Sequence, residues 1–326
     1  MNLLDKLKRL IERSERLPIG RRLRYAHLFN DQKALARGLY WLFMDKHLNL
    51  KNPQTFTEKM RLLKLYDHNS LYHILINKYS VKEYVAKLIS RDHIIPALGV
   101  WYRFDEVDFD SLPNQLVLKT TSGGGNSGMV ICKDKSIFDK VKAKRLLETC
   151  AKNDIYQSSG EWSYKGVKPR IIAEQFISAG PELKDLSDYK WLCFDGEPKF
   201  CQVIQNRTSK ETIDFFNTKW EHQEFIGLNP KAIHAEEISV CPKGLDNQIC
   251  IARKLSKSTA FSRINFYEVN EKEYFGEITF YPVSGFGQFE PAEYDLILGQ
   301  MFTLLGEKME GGKFVIPIYN NYALAA

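Results

Sequence analysis

Two regions of the chain carry side chains able to do chemistry. LVLKTTSGGGNSGMVI, residues 116–131, places Lys119 near the end of an apolar run, then Ser122 and glycines at 123, 124, 125 and 128, then a second apolar run. Further on, SRINFY sets Arg263 two positions from Asn265, and FGEITFYP sets Glu277 two positions from Thr279. Residues two apart on a strand face the same side. Two such strands side by side would gather a guanidinium, an amide, a carboxylate and a hydroxyl in one cleft, and hard oxygen ligands beside Arg suit Mg²⁺ and polyphosphate. An ordinary half-exposed hairpin with polar outward positions gives the same pattern.

The glycine run has the spacing of several phosphate-holding devices, and its surroundings separate them. A P-loop places Lys and Ser/Thr after the last glycine, where a helix begins. Here Lys119 comes first, and Met129-Val130-Ile131-Cys132 is strand-like. The same strand counts against a dinucleotide fingerprint, which needs a helix N-terminus beneath the pyrophosphate. Strand–loop–strand is the shape of a flap laid over phosphates, where a side chain would keep backbone N–H groups away from the oxygens. A protein kinase also has such a flap, but its Lys lies downstream, and neither HRD nor DFG is present. Glycine-rich hairpins also occur as plain turns, so the loop needs partners.

The elements that would position these residues alternate between two periods. Helical spacing runs to about Met44, with Leu3, Leu4, Leu7, Leu10, Ile11 and Leu17 on one face before Pro18-Ile19-Gly20. A helix is expected from Thr57, with Thr57 as its cap, and another over residues 77–89. Short β-like pieces follow, above all WLCFDGEPKFCQV, where Asp195-Gly196 is a turn signal between alternating strands. Helical stretches interleave near 137–152 and 246–260. Hairpins mixed with helices predict an α+β fold with antiparallel sheets.

Composition excludes several classes. At 326 residues with 44% apolar and 26% charged residues, the chain is long enough for two or three units around a sizeable core. No run spans a bilayer and no secretory leader is evident, so a cytoplasmic enzyme with reduced thiols is expected from six cysteines without a CxxC pair. Residues 1–50 hold a surplus of six positive charges, equal to the net charge of the whole chain. Such a segment can meet an anionic membrane or polymer, or can pack on its own domain with a solvated basic face. The seven histidines show no HExxH and no paired Cys/His zinc spacing; His68 and His73 read as surface or capping residues. GxSxG is absent, and the aromatics fall in apolar strand patterns, so no nucleic-acid platform is expected.

The order of these pieces resembles ATP-grasp ligases. More closely, NPQTFTEKM, NKYSVKEYV, LVLKTTSGGGNSG, EWSYKGVKPRIIAEQFI, SDYKWLCFDGEPKF and RINFYEVNEKEYFGEITFYPVSGFG resemble the TupA-like ATP-grasp proteins of polysaccharide gene clusters, from about Asn52 to Asp295. The resemblance implies an ATP-grasp fold in which two α+β subdomains, 71–178 and 179–326, hold ATP, with residues 1–70 as a basic, mostly helical N-terminal region. Lys78 and Lys119 would contact the α- and β-phosphates, and the flap at Ser122, Gly123, Gly124, Gly125 and Gly128 would cover the β/γ end. Glu174 would receive the adenine amino group beside the backbone of Gln175, Phe176 and Ile177. Asp188 or Glu182 would meet the ribose, and Lys190 would reach phosphate from the sheet floor.

In the same resemblance Glu277 would be the principal Mg²⁺ ligand, with Asn265 and Thr279 in the other metal positions, and Arg263 would stabilise charge on the transferred phosphoryl group. Asp is usual where Asn265 stands, and another acid such as Glu268 could substitute. The implied activity is an ATP-dependent carboxylate–amine ligase forming an amide through an acyl phosphate. Its acceptor would be an acidic saccharide of a cell-surface polysaccharide and its donor an amino acid or amine. A phosphotransferase on a sugar hydroxyl and a non-catalytic nucleotide- or polyanion-binding module are the alternatives. Ser284-Gly285 could hold the carboxylate being activated, or be a bland loop.

Overall fold

A computed structural model describes residues 31–304 except 124–127, 179, 181–184, 208 and 230–231, together with the backbone of 309–310 and 313–314. The basic helix expected at the start of the chain, Gly124, Gly125 and Glu182 lie outside the described residues. Among the described residues no helix is long and apolar enough to cross a membrane.

Helix α1 (Gln32–Met44) begins at Asp31, whose side chain accepts the Ala34 N–H. It is followed by α2 (Phe56–Tyr66), which opens with a capping box: the Thr55 hydroxyl accepts the Glu58 N–H while the Glu58 carboxylate accepts the Thr55 N–H. The cap is therefore Thr55, not Thr57. Thr57 is fully buried, and its N–H and hydroxyl donate to the Asp295 carboxylate at 2.9 and 2.8 Å. Thr57 also precedes the apolar run, but Thr55 stands three residues before Glu58, the capping-box spacing, while Thr57 is followed at that distance by Met60. Helix α3 (Ser80–Leu88) buries Val81 and Val85.

The first sheet has order β1-β4-β2-β3, formed by Ala97–Trp101 (β1), Leu116–Thr120 (β2), Met129–Cys132 (β3) and Ile171–Gln175 (β4). Its pairs are antiparallel. Leu116, Leu118, Ile171 and Ala173 turn to one face and form a core with α4 (Lys140–Ala151) through Ala143 and Leu147. The opposite face carries Val117, Lys119 and Glu174, with Val117 paired to Glu174. The glycine flap is the β2–β3 connection.

The second sheet is the larger, with order β11-β10-β5-β6-β7-β8. Asp188–Phe194 (β5) and Glu197–Gln205 (β6) form the hairpin expected at Asp195-Gly196, whose φ values of +48° and +80° are those of a tight hairpin turn. Thr212–Asn217 (β7) and His222–Gln223 (β8) continue to one edge; Ile226–Gly227 (β9) lies outside this sheet. Helix α5 (Leu245–Ser256) packs on the sheet. Phe261–Val269 (β10) and Lys272–Thr279 (β11) supply the other edge. The core of this sheet includes Phe56, Met60, Leu63, Val81 and Val85, so α2 and α3 pack with the second sheet although they precede the first in the chain.

Short β12 (Phe289–Glu290) pairs with β9, and α6 (Tyr294–Gln300) crosses the start of α2. Lys59 ties the two helices by donating to the carbonyls of Gly299 and Phe302 at 2.6 and 2.7 Å. A Cβ at Gly299 would overlap the Gln54 carbonyl and sit 2.6 Å from the Phe56 nitrogen. Both obstacles are backbone, so the helices would have to part. Gly299→Ala is expected to destabilise the fold by about 1–3 kcal/mol, the usual range for overpacking, seen as a lower denaturant midpoint at unchanged slope.

Candidate active site

The polar faces of the two sheets meet across a cleft lined by cations and by three carboxylates. On the first sheet, Glu174 is 4% exposed and lies between two ammonium groups, Lys119 at 2.6 Å and Lys82 of α3 at 2.7 Å. Burial alone would raise this carboxyl, but Lys119 and Lys82 outweigh it and hold it at about 2. Lys82 also donates to the Ile95 carbonyl, which fixes α3 against the approach to β1.

On the second sheet, β10 and β5 pair in register, so Asn265 lies opposite Lys190 and Arg263 opposite Leu192. Arg263 also lies opposite Thr279 of β11. Alternation then gathers Asp188, Lys190, Arg263, Asn265, Glu277 and Thr279 on one face. Asp188 has both oxygens engaged: Lys190 at 2.9 Å and the Asn265 amide at 3.0 Å on one, Arg207 at 2.6 Å on the other. Arg263 donates to Gln202 at 3.2 Å. Burial pushes the Lys190 ammonium and the Arg263 guanidinium down from their usual values, against the pull of Asp188 and Glu277.

Glu277 joins the two sheets. Lys78, just before α3, lies 3.6 Å from its carboxylate and donates to the Gly123 carbonyl at the base of the flap at 2.6 Å. Burial raises the Glu277 carboxyl, but Lys78, Lys190, Arg263 and Lys119 together hold it at about 2. Lys119 and Glu277 thus share one cleft. Gly123 has φ +134°, and a Cβ at Gly128 would overlap the Thr120 hydroxyl, so both ends of the flap require glycine.

A divalent ion fits this donor set. Asn265 is 2% exposed, its amide nitrogen is held by Asp188, and its carbonyl oxygen has no hydrogen-bond partner among the described residues. An orphaned buried acceptor on the Glu277 and Thr279 face is what a cation would satisfy. Gly276 keeps the space clear, since a Cβ there would come within 2.6 Å of the Asn265 amide.

A family model described as TupA-like ATPgrasp matches residues 58–303. The chain belongs to the TupA-like ATP-grasp family. Its fold is accordingly the ATP-grasp fold, here as two antiparallel sheets with helices. Among solved structures, the D-alanine–D-alanine ligase of Bacillus anthracis is similar at 16% identity and a TM-score of 0.38, covering 64% of this chain and 58% of that one. The biotin carboxylase–βγ-ATP complex of Campylobacter jejuni gives 12%, 0.42, 76% and 53%. The chain thus spans less than two thirds of either structure. No curated protein is significantly similar to it.

Within this TupA-like chain, the structure brings Lys78, Lys119, Gly123, Glu174, Asp188, Lys190, Arg263, Asn265 and Glu277 into one charged cluster, with Thr279 paired to Arg263. Ser122 and Gly128 flank the flap, and Gln175, Phe176 and Ile177 lead out of β4 toward β5, Gln175 donating its N–H to the Pro96 carbonyl. Glu174 and Asp188, expected at the adenine and the ribose, have their oxygens engaged by protein cations as described. Glu268 cannot replace a carboxylate at Asn265: on β10 it faces the opposite side, toward the Gly244 N–H. Asp188 is the acid beside Asn265. Sequence reasoning missed Lys82, Arg207 and Gln202. Lys82 follows Lys78 by one helical turn, a spacing that could have marked it; Arg207 and Gln202 carry no local signal.

Glu174 offers a direct test of the electrostatics. A carboxyl held at about 2 when folded, against about 4.3 unfolded, stabilises the fold above the unfolded value and loses that contribution as pH falls through the folded one. Replacing it leaves two buried ammonium groups without their anion. Glu174→Gln is expected to cost about 3 kcal/mol at pH 6. That deficit relative to wild type should shrink between about pH 4.5 and 2 in denaturant titrations.

Proposed function

We propose that the protein is an ATP-dependent carboxylate–amine ligase that joins an amino acid or amine to a uronic-acid carboxylate of a cell-surface polysaccharide. The observation that carries the nucleotide part is the charge of the cleft. Among the described residues, six cations, Lys78, Lys82, Lys119, Lys190, Arg207 and Arg263, face three carboxylates, Glu174, Asp188 and Glu277. A polyphosphate supplies the missing negative charge.

In the proposed reaction the acceptor carboxylate attacks the γ-phosphorus of ATP and ADP leaves. The amine nitrogen then attacks the resulting acyl group, phosphate departs, and the nitrogen gives up its proton. Lys78, Lys119 and Lys190 hold phosphate oxygens, and Arg263 neutralises charge on the group in transfer. Glu277, Asn265 and Thr279 would hold Mg²⁺, which when bound offsets phosphate charge and aligns its oxygens. Lys78 links the Gly123 carbonyl to the Glu277 carboxylate.

Support for an acidic acceptor comes from the turn after β11. Val283 and Ser284 have φ of +50° and +54°, which presents the Ser284 carbonyl to Arg61 and Lys64 of α2. Lys64 also donates to the Ser284 hydroxyl at 2.7 Å and lies 3.4 Å from Glu161. Two buried cations thus share one carboxylate, and Arg61 Nε has no hydrogen-bond partner among the described residues. Tyr164 lies between this cluster and the cleft, its phenol raised by burial and then by both Glu161 and Glu277. Beside it, Trp162 stacks on His68 at 4.0 Å with Tyr156 edge-on, an aromatic surface suited to a sugar ring.

Incubation with ATP, Mg²⁺, an amino acid and uronic-acid oligosaccharides should give ADP, phosphate and an amide, identified by mass. A phosphorylated sugar without the amine would replace the ligase by a phosphotransferase, and AMP would exclude both. Glu277→Gln is expected to lower turnover by about 100-fold or more, as loss of a principal electrostatic group does, while the protein stays folded. Gly276→Ala should displace the Asn265 amide and raise the Mg²⁺ needed for half-maximal turnover by roughly tenfold, the scale of altered outer-shell support.

A further inference from the structure

The nucleotide cleft uses one face of the second sheet, and a separate cluster of donors occupies the other. Asp214 of β7 pairs with Val203 of β6, which pairs with Tyr189 of β5. Lys190 belongs to the alternate set with Gln202 and Phe215, so Asp214 points away from the cleft. It is 2% exposed. One of its carboxylate oxygens meets two imidazoles at once: His222 Nε2 of β8 at 2.9 Å and His234 Nδ1 of the segment after β9 at 2.8 Å. Its other oxygen accepts the Ala235 N–H at 3.1 Å. One ligand atom from each of the three residues lies within 4.8 Å of the other two.

We propose that Asp214, His222 and His234 form a binding site for a zinc-class divalent ion, with three protein ligands and one position open to solvent. Imidazole and carboxylate together suit zinc and its first-row neighbours, whereas Mg²⁺ takes oxygen ligands almost alone. The carboxylate is deep and held by a backbone N–H, the kind of outer-shell contact that orients a metal ligand. The imidazoles lie nearer the surface, with side chains 27% and 39% exposed, so an ion can enter without opening the core. Bonds of about 2.1 Å to a tetrahedral ion would set the donor atoms roughly 3.4 Å apart, a small spreading from the 2.8 and 2.9 Å seen here.

The three ligands come from β7, from the two-residue edge strand β8 and from the segment that follows β9. That segment also touches β7 through the Ile213 N–H and the Ile233 carbonyl at 2.9 Å. A bound ion would fasten it across the edge of the sheet. The site is therefore structural in its placement and independent of phosphate chemistry in the cleft.

The test uses the full chain, stripped with a chelator and titrated with ZnCl₂ by calorimetry. One saturable equivalent of micromolar or tighter affinity is expected, together with a higher melting temperature. Cobalt(II) in its place should give the intense visible bands of a four-coordinate ion. His222→Ala and His234→Ala should each weaken zinc binding at least tenfold and abolish the thermal shift. Glu277→Gln, which alters the oxygen-rich site of the cleft, should leave zinc binding intact. His234 is the more exposed histidine, so its variant remains informative if His222→Ala does not fold. Absence of saturable binding by wild type, or affinity unchanged from wild type in both histidine variants, would overturn the proposal and leave a carboxylate held by three N–H···O bonds.

Discussion

The structure depends on a shortage of negative charge in the cleft. Like charges about 4 Å apart repel by ~4 kcal/mol at an effective dielectric near 20, so cations gathered at a partly dry surface need anions among them. Glu174 and Glu277 are those anions, and both carboxyls are drawn to about 2 by the ammonium and guanidinium groups around them. They reduce the repulsion enough for the cations to be held in place, but among the described residues three carboxylates against six cations leave it incomplete. A triphosphate can complete it without rebuilding the site, because the positive groups are already fixed by hydrogen bonds to Asp188, Gln202, Ile95 and Gly123. Preorganisation of this kind is what phosphoryl transfer requires of a protein.

The same constraint explains the backbone around the site. Antiparallel pairing of β10 with both β5 and β11 is what sets Asn265 beside Lys190 and Arg263 opposite Thr279. A register slip of one residue would turn every one of these groups into the hydrophobic core. The core on the other face, with Trp191, Ile264, Phe266 and Phe275 buried, makes that slip costly, and so apolar packing enforces the position of the charges. Gly276 and Gly128 show the complementary requirement, since each leaves room where a methyl group would press on Asn265 or Thr120.

What could be foreseen from sequence follows the distance over which each signal acts. Strand alternation is local, so Arg263 with Asn265 and Glu277 with Thr279 were legible as pairs, as was the Asp195-Gly196 turn. The two strands that flank the glycines were legible from the apolar runs on either side, and β2 and β3 pair there. The cap at Thr55 has a local signal in its spacing to Glu58, whereas the role of Thr57 rests on Asp295, which lies far along the chain. Arg207, Gln202 and the Asp214–His222–His234 cluster share that difficulty. Their partners are set by the register between strands, and the spacing of Asp214, His222 and His234 along the chain matches no familiar ligand motif. Only the pairing of β7 with β8 places His222 beside Asp214.

Two clusters near the C-terminal end of β11 follow one rule. At the cleft, cations outnumber carboxylates and a nucleotide is the natural complement. At the Ser284 turn, Arg61 and Lys64 share Glu161 in a smaller version of the same imbalance, with burial drawing the Arg61 guanidinium down to about 9. Burial raises the Tyr164 phenol, and Glu161 of one cluster and Glu277 of the other both add to that shift. The two places lie close along the chain: Glu277 and Ser284 are seven residues apart, joined by the buried Phe280 and Tyr281. In this chain α2 carries Arg61 and Lys64 to the Ser284 turn, and it packs with the second sheet through Phe56, Met60 and Leu63 although it precedes the first in the chain.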